Sequence, residues 1–351
     1  MTVARTSRWH RFAESKLVFP LIVLAAILLF DLLFDPDFFG LQVIDGHLYG
    51  NLIDILRNGA TVMLLAIGMT LVVATGGVDL SVGAVMAISA SIAALLIDPN
   101  FKALTHDPNM SVTPLWLIFV VTLSVATLCG LWNGVLVAYG GIQPMVATLI
   151  LMIAGRGIAQ LITESVRIQI FYEPYAFLGN GWVILPFSLF IVAVVFTIFW
   201  LLTRRTSLGM FIEAVGINAR SSFYSGVDEK RVKLFAYMAC GFCAGMAGLV
   251  ASSNIRTSDA NNIGLNLELD AILAVVIGGT ALGAGGRFSL FAGIIGALVI
   301  QAITTSMYAI GVPANALLTI KGIVVIIVIL LLSDQVRGFI RRAASRQARS
   351  T

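Results

Sequence analysis

The cysteines and histidines are the first residues in this chain of 351 that could carry out chemistry. Cys240 and Cys243 form a Cys-x-x-Cys pair, a spacing that serves redox and metal sites. The pair lies in an apolar stretch rich in Gly and Ala, however, where small residues also let membrane helices pack closely. Cys129 and the three histidines are far apart in sequence, so no metal cluster or nucleophile–base set can be argued. We therefore expect neither an enzyme nor a cofactor or metal bound to this chain.

A second set of candidates consists of polar residues inside long apolar segments. An isolated charge in a bilayer costs several kcal/mol, so such residues should face a cavity, a partner or a helix end. Amides with a guanidinium could line a path for a hydroxylated solute, although each could equally bond a neighbouring helix. Asp79 could instead begin the helix that follows it, by accepting its first free amides. The candidates for a translocation path are Asp79, Ser81, Asn133, Arg156, Gln160 and Gln301.

Two other polar features bear on function. Segment 252–262 is polar, and its Asp259, Asn261 and Asn262 could dock a partner protein or simply belong to a solvated loop. The glycine-rich segment 283–287 lacks the lysine and hydroxyl of a phosphate-binding Gly-x-x-x-x-Gly-Lys-[Ser/Thr] loop. We therefore expect no ATP hydrolysis on this chain.

The composition shows which elements must position these residues. Hydrophobic residues make up 59% of the chain and charged residues 11%, and the mean hydropathy is +0.97. A soluble globular protein has about 45–50% apolar and about 25% charged residues, so an ordinary soluble enzyme is excluded. The apolar runs are long and do not alternate, which favours membrane-spanning helices over a β-barrel.

Ten apolar segments are long enough to cross a bilayer, which takes about 20 residues. The first could be a signal peptide, but it continues past Asp31 to Phe34 without a convincing cleavage site, so we interpret it as a retained helix. Together they predict one transmembrane domain, 17–333, between tails 1–16 and 334–351. The segments are 17–35, 52–74, 78–97, 114–138, 144–163, 182–202, 232–252, 268–284, 288–310 and 315–333.

The basic residues predict how the chain is oriented. With ten spans and a cytoplasmic N-terminus, sixteen of the 22 Lys and Arg residues lie on the inner side, three lie outside and three lie within spans. This agrees with the positive-inside rule and predicts that both termini lie in the cytoplasm. The net charge of +4 then indicates contact with anionic lipid rather than with nucleic acid.

Two glycine-interrupted stretches, 74–83 and 277–287, suggest an internal repeat. In each half a proline turn later opens a segment with one basic residue, Arg156 or Lys321. Two five-helix halves of opposite orientation would be an inverted repeat, an arrangement in which broken helices line the substrate site of transporters. Chance similarity between Gly/Ala/Val-rich segments remains the alternative.

The loop 203–231 between the sixth and seventh segments is amphipathic. Asn218 and Asp228 could start helices, and Gly216 and Gly226 could end them. A short helix with exposed aromatic residues could dock into the groove of a cytoplasmic motor protein or lie on the lipid surface.

Several motifs closely resemble those of the permease subunits of bacterial ribose-type ABC sugar importers. They are TGGVDLSVG (75–83), LGMFIEAVGIN (208–218), YSGV (224–227) and AILAVVIGGT (271–280). Within that family, stretches 64–75, 147–157 and 259–262 look most like the galactofuranose-importing members. The similarity extends over residues 52 to 333.

This resemblance implies an all-α polytopic fold like that of the vitamin B12 importer permease. It implies a separate ATPase subunit that holds ATP and Mg²⁺, a periplasmic sugar-binding protein, and a second permease that is either a copy or a paralogue. It also makes 203–231 the coupling loop. The candidate coupling residues are Glu213, Ala214, Gly216, Asn218, Arg220, Phe223, Tyr224 and Gly226.

The sequence thus predicts a permease that passes a monosaccharide, galactofuranose-like or another pentose or hexose, into the cytoplasm. The alternative is an ion-coupled secondary sugar transporter, which would need carboxylates near the middle of the membrane to carry ions. Asp79 is the only candidate for that role.

Overall fold

A computed structural model of the chain describes residues 17–34, 36–44, 47–98 and 113–332. Both predicted tails and most of the predicted loop 98–113 lie outside these ranges, so the predictions about the basic residues in them do too.

The described residues form thirteen helices. Their bounds are α1 Val18–Phe34, α2 Asn51–Ala74, α3 Val82–Ile97, α4 Leu115–Ala138, α5 Pro144–Ile162, α6 Glu173–Asn180, α7 Phe187–Arg205, α8 Leu208–Ile217, α9 Ala219–Tyr224, α10 Glu229–Asn254, α11 Leu267–Ile277, α12 Leu290–Ala309 and α13 Ala314–Leu332.

Two small antiparallel strand pairs and one 3₁₀ turn complete the described secondary structure. The turn Pro36–Phe39 follows α1, and strand β1 (Gln42–Ile44) pairs with β2 (His47–Tyr49). Strand β3 (Ile168–Gln169) pairs with β4 (Thr257–Ser258) and so joins two segments far apart in sequence.

Each of the ten predicted apolar segments contains a helix, but some bounds differ. Within the described ranges, six helices are long and apolar enough to cross a membrane: α2, α4, α5, α7, α10 and α12. The predicted span 182–202 lies a few residues too early, because the helix begins at Phe187, after Pro186, and runs to Arg205. The predicted spans 78–97 and 268–284 were too long, because glycine-containing turns leave α3 to begin at Val82 and α11 to end at Ile277.

Helices α2 and α10 form the buried centre of the bundle. They pack against each other, α10 also packs against α3 and α4, and α2 packs against α11 and α12. Small residues allow this close approach: a side chain at Gly68 of α2 would collide with Cys240 and Cys243 of α10. Both cysteines are free and buried, and the described residues contain no group of three or more His, Cys, Asp or Glu that could hold a metal ion. The pair is therefore part of a helix interface.

The bundle has two distinct ends. The C-terminal end of α2 lies beside α8 and the glycine turn before α12, and we call this the loop end. The N-terminal part of α2 and the C-terminal end of α10 meet at the opposite end, where a large cavity opens, and we call this the cavity end.

Candidate functional site

The predicted coupling loop forms two short helices, α8 and α9, at the loop end. The Asn218 side chain accepts a hydrogen bond from the Ser221 amide (2.9 Å), so Asn218 caps α9 as its sequence position predicts. Asp228 caps α10 in the same way, accepting from the amides of Lys230 and Arg231 at 3.1 and 3.3 Å. Gly226 takes the left-handed conformation (φ +84°) at the turn between α9 and α10.

This loop presents apolar groups on its outside. The Phe223 side chain is 64% exposed and Tyr224 is 82% exposed, and their ring centroids lie 6.0 Å apart. Arg220 beside them is exposed as well, whereas Ile212 and Val215 of α8 point into the bundle. Glu213 and Ala214 are half-buried. The loop therefore has a face fixed to the bundle and a second, partly aromatic face without a partner among the described residues.

Gly216 fixes the loop to the centre of the bundle. The Gly286 amide donates to the Ala74 carbonyl oxygen (2.9 Å), and Gly216 lies directly against both groups. A methyl group at Gly216 would overlap the Ala74 oxygen and the Gly286 nitrogen. The end of α8 is thus wedged between the end of α2 and the glycine turn that precedes α12.

Three of the predicted path residues form one buried cluster. Asp79 Oδ1 accepts from the Ser81 amide (2.9 Å) and the Ser81 hydroxyl (2.7 Å). Asn133 Nδ2 of α4 donates to Ser81 Oγ (2.8 Å) and lies 3.4 Å from Asp79 Oδ1. All three side chains are almost completely buried, and none of them lines the large cavity.

Asp79 and Ser81 of this cluster belong to a non-helical segment, 75–81, that connects α2 and α3. Buried backbone groups need partners, and side chains of neighbouring helices supply them here. The Tyr237 hydroxyl donates to the Val78 carbonyl oxygen (3.3 Å), and Thr148 Oγ1 accepts from the Leu80 amide (3.1 Å). Asp79 accepts an amide two residues on, immediately before α3. The segment is therefore held on several sides.

The connection between α10 and α11, segment 255–266, meets the start of α3. Gly83 at the start of α3 lies against Gly264 backbone to backbone, and a side chain at Gly83 would also overlap the Glu268 carboxylate. Gly264 has φ +74°, a conformation that favours glycine. The beginnings of α3 and α11 are thus held together through two glycines.

Arg156 and Gln160 of α5 bond to segment 255–266. Arg156 Nη1 donates to the carbonyl oxygens of Ala260 (2.9 Å) and Ile263 (2.5 Å). Gln160 Nε2 donates to Asn261 Oδ1 at 2.6 Å. In this structure both side chains brace the loop.

A cavity of about 640 Å³ opens at the cavity end. It brings together Gln301, a predicted path residue, with Asp259 and Asn262, which were predicted to dock a partner. Its lining is contributed by α2, α10, α11, α12, segment 255–266 and Arg167, which lies between α5 and α6. The lining residues are Asn58, Thr61, Val62, Arg167, Ala251, Asn254, Ile255, Thr257, Asp259, Asn262, Ile263, Leu267 and Gln301.

Asp259 is the carboxylate of this cavity, and its charge is compensated. Asp259 Oδ2 accepts from Arg167 Nη2 (2.9 Å) and Asn262 Nδ2 (2.8 Å). Partial burial raises the pKa of Asp259, but the hydrogen bonds from Asn262, Arg167 and the Asn261 amide outweigh it and leave that pKa below its usual value.

Several polar contacts were missed by sequence reasoning. Arg57 Nη2 bonds to the side-chain oxygens of Asn180 (3.0 Å) and Asn254 (2.8 Å), which ties α6 to α2 and α10. Lys321 of α13 forms a largely buried ion pair with Asp270 of α11, with Nζ and Oδ2 2.7 Å apart. The sequence signal for the Arg57 contacts was a polar cluster near the start of an apolar segment. Lys321 and Asp270 are 51 residues apart, so no local sequence pattern could have paired them.

Comparison with known proteins gives a consistent result. Residues 51–332 match the family described as branched-chain amino acid transport system / permease component. The galactofuranose transporter permease protein YtfT of Escherichia coli K12 is 46% identical over 93% of this chain and 92% of its own length. The fructose import permease protein FruF of Bifidobacterium longum is 34% identical, with 97% of this chain and 95% of the relative covered. The ribose import permease protein RbsC of Haemophilus influenzae is 31% identical, over 90% and 92%. No solved structure matched the chain.

Proposed function

The chain belongs to this family of permease components and is the permease of a sugar ABC importer, and we propose that its cargo is a monosaccharide. The cargo is galactofuranose-like or another pentose or hexose, since the relatives named above import galactofuranose, fructose and ribose. A periplasmic binding protein delivers it, and a separate cytoplasmic ATPase, which holds ATP and Mg²⁺, drives its import.

The coupling loop 203–231 is the contact with that ATPase. The observation that carries this proposal is the position of Gly216 against Ala74 and Gly286, because it joins the exposed face of the loop to the central helix α2. Phe223 and Tyr224 provide apolar anchors on that face, as docking of a helix into a groove requires. Movement of the ATPase would then reach the bundle directly.

The proposed arrangement in the inner membrane has ten membrane segments, each containing one of the described helices other than α6, α8 and α9. They form two five-helix halves of opposite orientation, with both basic tails in the cytoplasm. The exchanged packing supports this arrangement: α10 packs on α3 and α4 of the first half, while α2 packs on α11 and α12 of the second. The two glycine-interrupted stretches of the predicted repeat, 74–83 and 277–287, contact each other where the Gly286 amide donates to the Ala74 carbonyl oxygen.

Two proposals concern the remaining partners. The polar rim with Asp259, Asn261 and Asn262 receives the binding protein, and the complete importer contains a second permease, either a copy or a paralogue. The ion-coupled alternative would act through Asp79, which is almost completely buried and accepts hydrogen bonds from Ser81 and Asn133.

Co-purification tests the coupling proposal. The permease is expressed with its cognate ATPase and solubilised, and the amount of ATPase retained is measured for the F223A/Y224A variant and for Y308A. Tyr308 is a suitable control because it is 58% exposed at the far end of α12. We expect F223A/Y224A to lose the ATPase and Y308A to keep it. Equal retention by both variants would show that the ATPase binds elsewhere.

Transport in proteoliposomes tests the function as a whole. Uptake of radiolabelled sugar should require ATP, the ATPase and the binding protein, and it should persist when an ionophore dissipates ion gradients. Uptake that ignores ATP and stops with the ionophore would favour the ion-coupled alternative.

A further inference from the structure

The cavity at the cavity end is lined mainly by hydrogen-bonding side chains. Eight of its 13 lining residues are polar, and none is aromatic. We propose that this cavity is a binding site of the permease itself for one neutral monosaccharide, held by hydrogen bonds to its hydroxyl groups. This inference rests on the proposed function, and it assigns a site for the sugar within this chain.

Size and charge both select this class of ligand. The cavity volume of about 640 Å³ lies within the range of about 300–1,000 Å³ that is typical of small-molecule sites. Its two charged residues, Arg167 and Asp259, form an ion pair with each other, so the lining carries no net charge. A neutral solute that is rich in hydroxyl groups meets both conditions.

Two groups in the lining are available for a ligand. Among the described residues, the Thr61 hydroxyl has no hydrogen-bond partner, and neither has the side-chain oxygen of Gln301. The Gln301 amide nitrogen makes a single long bond, 3.3 Å, to Thr305. Thr61 lies on α2 and Gln301 on α12, so a bound sugar would bridge two helices that pack together. The absence of an aromatic stacking surface keeps such binding weak, which suits a site that must release its ligand.

The floor of the cavity is formed partly by segment 255–266, which contacts the start of α3 just after segment 75–81. Ile263 and Leu267 line it on either side of Gly264, and Gly264 is in backbone contact with Gly83. A displacement of segment 75–81 would therefore move part of the binding site. This gives the site a physical means of changing its affinity during a transport cycle.

The first test measures transport by the complete importer in proteoliposomes. T61V and Q301L each remove one hydrogen-bonding group from the lining. T304V is the matched control, because the Thr304 hydroxyl bonds to the Ile300 carbonyl of its own helix and lies outside the cavity. We expect T61V and Q301L to slow ATP-driven sugar uptake about fivefold, the ratio that corresponds to one lost neutral hydrogen bond, and T304V to match wild type. ATP hydrolysis stimulated by the binding protein should stay at the wild-type rate in all three.

The second test measures binding without transport. The T61C variant is labelled with a membrane-impermeant maleimide in the presence of D-galactose, D-fructose, D-ribose or L-leucine. T61C is made in a C129S background, because Cys129 is half-buried and could react, whereas Cys240 and Cys243 are buried. We expect the transported sugar to protect the introduced thiol and leucine to leave its labelling unchanged.

The two tests separate the site from the proposed function. If wild type imports a sugar, but that sugar does not protect T61C and both T61V and Q301L transport normally, the cavity is not the binding site. If wild type imports none of the sugars, the proposed function fails, and protection of T61C by a sugar would still support the site.

Discussion

Replacing Gly216 by alanine perturbs the one contact that joins the coupling loop to the central helix. The added methyl group would overlap the Ala74 oxygen and the Gly286 nitrogen, which form a hydrogen bond 2.9 Å long. Overpacking of this kind costs about 1–3 kcal/mol. Leaving the buried amide and carbonyl without each other costs about another 1–3 kcal/mol. Alanine regains at most about 1 kcal/mol through its helix propensity. We therefore expect G216A to lower the free energy of unfolding by about 1–5 kcal/mol.

The assay has a structural and a functional part. Thermal unfolding of the purified permease in detergent is compared between wild type, G216A and G157A, and the ratio of sugar imported to ATP hydrolysed is measured after reconstitution. Gly157 is the control, because a methyl group there meets nothing within 4 Å. G157A should be neutral or slightly stabilising, whereas G216A should unfold earlier and import less sugar per ATP. If G216A unfolds at the wild-type temperature with a normal ratio, Gly216 is not a packed junction, and the reasoning fails.

Three further predictions concern charges and a helix cap. K321M should destabilise the protein by about 3–5 kcal/mol in detergent, because it leaves the Asp270 carboxylate buried without its partner. The double variant K321M/D270L should recover most of this loss. Equal instability of both variants would contradict this prediction. The Asp259 pKa is lowered in the folded protein, so the bond between Asp259 and Arg167 should contribute stability above about pH 4. That contribution should be lost as the pH falls through the lowered folded pKa. The unfolding of D259N and wild type should therefore differ at neutral pH but not at acid pH. N218A removes the cap of α9, which costs this helix about 1 kcal/mol of local stability. It should weaken binding of the ATPase without lowering the overall unfolding temperature. Unchanged ATPase binding would mean that α9 does not need its cap.

Hydropathy predicted the helices well, and it failed where a helix is interrupted. An apolar run registers as a span whether or not its backbone is helical, so 78–81 and 278–284 were included in spans although both are non-helical. Helix starts set by a polar side chain could be predicted, as at Asn218 and Asp228, because the cap and the helix are adjacent in sequence. These local signals carry no information about distant partners.

The candidate site shows the same limit. Gln301, Asp259 and Asn262 were singled out for being polar in or beside apolar sequence, but the sequence placed them in two separate roles, and only the folded bundle brings them into one cavity. Thr61 was missed, because a single threonine is unremarkable in an apolar helix. Arg156 was predicted either to line a path or to bond a neighbouring element, and the sequence could not show that its partners are two carbonyl groups more than 100 residues away.

The glycines explain why a movement at the loop end should reach the cavity. Gly216 contacts the end of α2, the segment 75–81 continues from there, and Gly83 contacts Gly264 in the cavity floor. At both junctions, backbone atoms touch backbone atoms. A side chain can absorb a small displacement by changing rotamer, whereas a backbone contact either moves with its neighbour or separates. If the ATPase displaces α8, then either the end of α2 and segment 75–81 move with it, which strains the hydrogen bonds of that segment to Tyr237 and Thr148, or Gly216 separates from Ala74. On the proposed coupling, the first outcome links ATP hydrolysis to the sugar site.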